Sequence, residues 1–93
     1  MIKYRSVLNS TKTVGGASVE LLAGNESRKR VIIVNSSANG LWISFGAAAV
    51  IGTGVYLAPS GGSFEMDPSE IYAGQINGIA TGAGSVIGVV EFY

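Results

Sequence analysis

Apolar residues along this chain gather in short runs separated by glycine, proline, asparagine and serine. The most regular stretch is Arg28–Gly46, RKRVIIVNSSANGLWISFG. Its two runs are rich in β-branched and aromatic residues, lack proline and flank the polar link Asn35–Gly40, so they predict two paired strands of a central hairpin. In the second run Leu41, Ile43 and Phe45 fall on one face and Trp42 and Ser44 on the other. The first run, Val31–Val34, is apolar at every position, as in a strand covered on both sides.

The same patterning extends to both ends. Met1–Val14 has no glycine or proline; Ile2, Tyr4 and Val7 suggest a short strand, and an extended arm fits equally. Gly15-Gly16 marks a turn, Ala17–Ala23 a strand or a single helical turn, and Gly24–Ser27 another turn. Ala47–Gly54 combines alanines with two glycines and predicts a loop crossing the rim. Val55–Ala58 is a strand, Pro59–Gly62 a turn, and Ser63–Met66 a strand with Phe64 and Met66 inward. Asp67-Pro68-Ser69-Glu70 has the residues of a capped single turn, with Asp at the N-cap and proline next. Tyr72–Thr81 is a strand, Gly82–Gly84 a turn, and Ser85–Tyr93 the last strand. There Val86, Val90 and Phe92 share one face and Ile87, Val89 and Tyr93 the other. A terminal strand apolar on both faces is either central in its sheet or pressed against another copy.

Seven to eight short antiparallel strands at roughly ten-residue spacing predict an all-β protein, a small β-sandwich that is jelly-roll-like or Greek key. No window keeps a 3.6-residue apolar period beyond about two turns, which excludes a helical fold. Residues 1–14 form an N-terminal arm or edge strand, and residues 15–93 a single sandwich domain.

Composition narrows the function. The chain has no cysteine and no histidine. Disulfides, thiolate metal sites and a Ser-His-Asp triad are therefore excluded. Charged residues make up 13% and hydrophobic ones 47%, against roughly 25% and 45–50% in an average soluble domain. So little charged surface favours association with other copies or a larger partner. The net charge of zero hides a split. Residues 1–46 carry all six basic residues (Lys3, Arg5, Lys12, Arg28, Lys29, Arg30) and only Glu20 and Glu26, a net of +4; residues 47–93 carry Glu65, Asp67, Glu70 and Glu91, a net of −4. Such a division suits neighbouring copies, or a charged scaffold, meeting in a fixed orientation.

Candidate chemistry is sparse. Glu65, Asp67 and Glu70 match no calcium loop and suit capping and surface roles. Arg28-Lys29-Arg30 resembles a solvated strand end that discourages edge pairing, and the charge balance falls short of a nucleic-acid binder. Gly52-x-Gly54 and Gly82–Gly84 lack the ending of a phosphate loop. Trp42 and Tyr56 suit sheet packing, or stacking on a sugar. No nucleophile has a base beside it, which points to a non-enzymatic protein without cofactor or metal. The N-terminus lacks the apolar stretch of a signal peptide, and the longest apolar run, Ala47–Ile51, is far below the ~20 residues of a membrane span. A protein made and used without export is expected.

From Arg30 onward the order of features resembles small virion proteins of tailed bacteriophages. The residues that carry the resemblance are Asn35-Ser36-Ser37, Leu41–Gly46, Gly54–Gly62, Tyr72–Ala80 and Val89–Glu91, about two-thirds of the chain. The resemblance implies a β-sandwich assembled as a homotrimer, with capsid decoration (cement) proteins the best fit. Such a protein binds and stabilises the shell formed by the phage major capsid protein. It would be assembled in the host cytoplasm and reside on the capsid surface of the virion, with no direct contact to nucleic acid or membrane. On this expectation Ile87, Val89 and Tyr93 are the oligomer interface, and Lys3, Arg5 and Lys12 grip the major capsid protein. The alternative is a tail or head-fibre module that recognises a host-surface receptor or carbohydrate, with Ala47–Gly54 and Pro59–Gly62 as its binding loops. A small carbohydrate-binding domain using Trp42 and Tyr56 is a third reading.

Overall fold

A computed structural model describes residues 3–93. It is all-β, with eight strands: β1 (Val7–Val14), β2 (Val19–Leu22), β3 (Arg30–Asn35), β4 (Leu41–Phe45), β5 (Val55–Leu57), β6 (Gly62–Met66), β7 (Ile76–Ala80) and β8 (Ser85–Phe92). Ile2, one of the residues suggesting a first strand, lies outside the described residues.

The strands form two four-stranded sheets, sheet A in the order β1-β8-β3-β6 and sheet B in the order β2-β7-β4-β5. All pairings are antiparallel: β1 with β8, β2 with β7, β3 with β6 and β4 with β5, and the sheets are completed by β3 with β8 and β4 with β7. First strand pairs with last, second with second-last, and so inward. This is the order made by rolling one long hairpin into a sandwich, the jelly-roll arrangement.

The central hairpin is thereby corrected. β3 and β4 do not pair; they lie in opposite sheets, and Ser36–Gly40 arches between them. Asn35 explains the arch. It is fully buried, and its Nδ2 donates to the carbonyl oxygens of Asn39, Leu57 and Ala58, while its Oδ1 accepts from the Ser37 amide and hydroxyl. One side chain thus ties the arch to the crossing from β5 to β6, and satisfies backbone groups that burial would otherwise orphan. Ser60 (φ 60°) and Gly61 (φ 122°) complete that crossing. Ala47–Gly54 does not cross the rim: it joins β4 to β5 within sheet B. Asn77 Nδ2 donates to the Ala47 carbonyl, and the Ala49 amide donates to Ser18 Oγ.

Alternation sets the core. Val31 and Ile33 of β3 are buried while Ile32 and Val34 are half-exposed, so β3 is covered on one face, not two. Leu41 and Ile43 point inward from β4, and Ile87 and Val89 from β8; with Val14, Leu21, Leu57, Met66 and Ile76 they fill the space between the sheets. On the β5–β6 side Phe45 packs against Phe64 and Tyr72, with ring centroids 5.6 Å apart in each pair, and closes the sandwich.

At one end Arg28 replaces apolar packing with a buried polar knot. Its Nε donates to Glu91 Oε2 at 2.6 Å, Nη1 to the Tyr72 and Gly74 carbonyls and Nη2 to the Ala23 carbonyl. Arg28 is 3% exposed and Glu91 5%. Arg28 is therefore no part of a solvated strand end, although Arg30, which pairs with Glu65, is more open. The knot also explains why β7 starts at Ile76 rather than Tyr72: the preceding carbonyls serve Arg28 instead of a ladder. Asp67 caps the single 3-10 turn Pro68–Glu70, accepting from the Ser69 amide at 2.9 Å, as the sequence predicts.

Candidate functional site

Inside the sandwich Arg28, Asn35, Asn77, Ser85 and Glu91 are hydrogen-bonded within the fold, while Ser10 Oγ is buried without a partner. Surfaces that could meet a partner lie on the outer faces and the open edge. Among the described residues no group of three His, Cys, Asp or Glu could hold a metal ion, and no helix is long and apolar enough to cross a membrane.

The outer face of sheet A presents apolar residues from β1, β3 and β8. Across the strands, Val7 is level with Phe92 and Arg30, Asn9 with Val90 and Ile32, and Thr11 with Gly88 and Val34. Tyr4 packs against Phe92 with ring centroids 4.9 Å apart and the planes tilted by 45°. Val7, Val86 and Tyr4 are 48%, 46% and 39% exposed, and Ile32, Val34, Val90 and Phe92 are half-buried. An apolar sheet face of this kind marks a contact surface more often than a solvated one.

This placement corrects the expected oligomer interface. Ile87 and Val89 are 0% and 1% exposed because their parity along β8 turns them into the core of their own chain. Tyr93 is half-exposed at the strand's end, where its carbonyl accepts from the Arg5 and Ser6 amides. The outward residues of β8 are Val86, Val90 and Phe92. The apolar two-sidedness of the strand was legible; which side faced the other sheet was not, since parity alone carries no inside or outside.

The residues expected to grip a shell do not form one cluster. Lys3 and Arg5 are exposed on the segment leading into β1. Lys12 sits on the inward face of β1, level with Ile87, and is half-buried. It lines a slot of about 440 Å³ at the open side of the sandwich, between β1 and β2, with Leu8, Ser10, Leu21, Leu22 and Glu91 among the walls.

On the outer face of sheet B, Trp42 lies level with Tyr56, ring centroids 4.9 Å apart. Tyr56 is 48% exposed, and the loop residues Val50 and Ile51 are 56% and 48% exposed. The acidic residues Glu65, Asp67 and Glu70 are exposed at the β6 edge of sheet A. Asp67 has its carboxyl held below the ordinary value, first by the Ser69 hydroxyl and then by the Ser69 amide.

No protein-family model, no curated protein and no solved structure matches the chain.

Proposed function

We propose that the chain is a non-enzymatic structural protein of a tailed-bacteriophage particle, a capsid decoration or cement protein that binds the shell of the major capsid protein as a homotrimer. The observation that carries this is the outer face of sheet A, where Tyr4 and Val7 stand exposed around Phe92 at one end and Val86 at the other, with Ile32, Val34 and Val90 half-buried between them. An eight-stranded jelly roll whose buried Arg28, Asn35 and Glu91 hold its own loops, and which leaves apolar residues on an outer sheet face, is suited to contact with neighbours. The resemblance of Asn35-Ser36-Ser37, Leu41–Gly46, Gly54–Gly62, Tyr72–Ala80 and Val89–Glu91 to small virion proteins supports the phage assignment. Repeated weak contacts across a shell add through avidity, so modest affinity per copy suffices. Lys3 and Arg5, exposed ahead of β1, are available to acidic groups on a neighbouring molecule.

Electron microscopy of gold-labelled particles tests this reading. Label spread evenly over the shell agrees with it. Label confined to projections favours a fibre or tail module, and particles without label overturn both.

A receptor- or carbohydrate-recognising fibre module is the second reading, favoured by Trp42 and Tyr56 lying side by side with Tyr56 exposed. A glycan array on which Trp42→Ala lowers binding while the protein stays folded would move the assignment to it.

A further inference from the structure

The two free edges of sheet A carry opposite charge at the same end of the sheet. We propose that copies of this chain join side by side through these edges, β1 of one copy against β6 of the next, closing into a ring. The inference rests on the self-associating reading above and specifies which surfaces meet.

Strand direction permits it. Among the described residues β1 pairs only with β8 and β6 only with β3. The four strands alternate in direction, so β1 and β6 run oppositely. Rotating a copy about an axis parallel to the strands places its β1 beside the first copy's β6 with the alternation unbroken.

Level permits it too. Val7 pairs with Phe92 and Phe92 with Arg30, while Val31 pairs with Met66, so Asp67 follows at about the level of Val7. The Arg5 and Ser6 amides donate to the Tyr93 carbonyl and carry the β1 edge one step further towards that same end. Lys3 and Arg5 therefore occupy the same end as Asp67 and Glu70, on the opposite edge. A rotation about a strand-parallel axis preserves height and brings the two groups together.

Charge then selects the pairing. Two β1 edges meeting would set basic residues against Arg5 and Lys12 whichever way the strands ran. Two β6 edges meeting in parallel would set Glu65, Asp67 and Glu70 against their own copies, with only Arg30 in compensation, and meeting antiparallel would set these acids against the uncharged Pro59–Ser63 and gain no attraction. Unlike edges attract while like edges repel or gain nothing, which is how charged edges direct a sheet to one partner. A head-to-tail contact repeated by rotation closes a ring when the angle divides a full turn, as the homotrimer proposed above requires. The orientation that turns the outer face of sheet A towards the axis also buries Val86, Val90 and Phe92.

Light scattering on charge-altered variants tests the pairing. One variant carries Lys3→Glu and Arg5→Glu; the other carries Asp67→Asn, which keeps an oxygen for the cap, and Glu70→Lys. Far-UV circular dichroism monitors the fold, and all four positions are exposed. Each variant alone is expected to fall towards the monomer mass of 9.5 kDa, and the two sets combined in one chain to recover the wild-type mass. Edge variants that keep the wild-type oligomer, or a folded combined variant that does not recover it, overturn the edge pairing and leave self-association standing. A wild-type protein that is monomeric at every concentration overturns self-association and the pairing with it.

Discussion

Arg28 Nε donates to Glu91 Oε2 at 2.6 Å inside the sandwich, joining the loop before β3 to the last strand across most of the chain. The same guanidinium gathers the Ala23, Tyr72 and Gly74 carbonyls. Glu91→Gln leaves this cation buried without its counter-charge and is expected to cost about 3–5 kcal/mol, the range for breaking one side of a buried pair. Arg28→Met with Glu91→Leu restores charge balance but orphans three carbonyls. Urea unfolding should place that double variant at or below Glu91→Gln, because the Ala23, Tyr72 and Gly74 carbonyls lose their donor; equal stability of Glu91→Gln and wild type would show that the ion pair contributes nothing.

Asn35 is expected to be equally unforgiving. Asn35→Ala frees three carbonyls and two donors at the arch, and leaving such groups unsatisfied costs about 1–3 kcal/mol each where water cannot replace the partner. Asn35→Asp keeps the shape but turns an acceptor towards the Asn39, Leu57 and Ala58 carbonyls. Thermal unfolding should rank Asn35→Asp at or below Asn35→Ala, and the reverse order would remove the hub role.

Two glycines separate conformational need from convenience. Gly54 has φ +97° and a Cβ there would run into the Ile43 carbonyl oxygen, whereas Gly16 has open space around it and no positive φ. Gly54→Ala should lower the melting temperature by several degrees on a loss of about 1–3 kcal/mol, and Gly16→Ala should leave it nearly unchanged. Similar melting temperatures for the two variants would contradict the geometry.

Along β8, alternate positions should respond oppositely. Ile87→Ala removes a fully buried side chain and is expected to cost about 2–5 kcal/mol. Val86→Lys lies on the open outer face, should change folding stability by roughly 0.5 kcal/mol or less, and should weaken association. Chemical denaturation and sedimentation read the two effects separately; Val86→Lys that associates like the wild type would exclude this face as a contact.

The Asp67 cap gives a pH signature. Its folded-state pKa lies below the ordinary 3.8, chiefly through the Ser69 hydroxyl. A depressed carboxylate contributes stability above its unfolded value and loses it as pH falls through the folded one. An NMR titration should find the Asp67 midpoint below 3.8, and Ser69→Ala should move it upward. A midpoint unchanged by Ser69→Ala would assign the shift to another cause.

Strand class and the Asp67 turn were legible because both depend on neighbours in sequence: alternation, β-branching and a cap with proline beside it. The β3–β4 arch was not. A polar link between two apolar strands looks the same whether the strands pair or separate into two sheets, and the difference lies in Asn35 reaching Leu57 and Ala58. Arg28 was hidden for a similar reason. Nothing local distinguishes it from Lys29 and Arg30, and its burial depends on Glu91 at the far end of the chain. The exposed apolar surface was assigned to the wrong side of β8 because alternation defines two faces without saying which one the second sheet covers.

On the proposed function this jelly roll works as one of several identical copies, with the outer face of sheet A as contact surface. Light scattering of the purified protein across a dilution series tests it most directly. A stable species near three times 9.5 kDa that falls apart with Val86→Lys is the predicted result. A monomer at every concentration, with Tyr4, Val7 and Val86 still exposed to solvent, would contradict it.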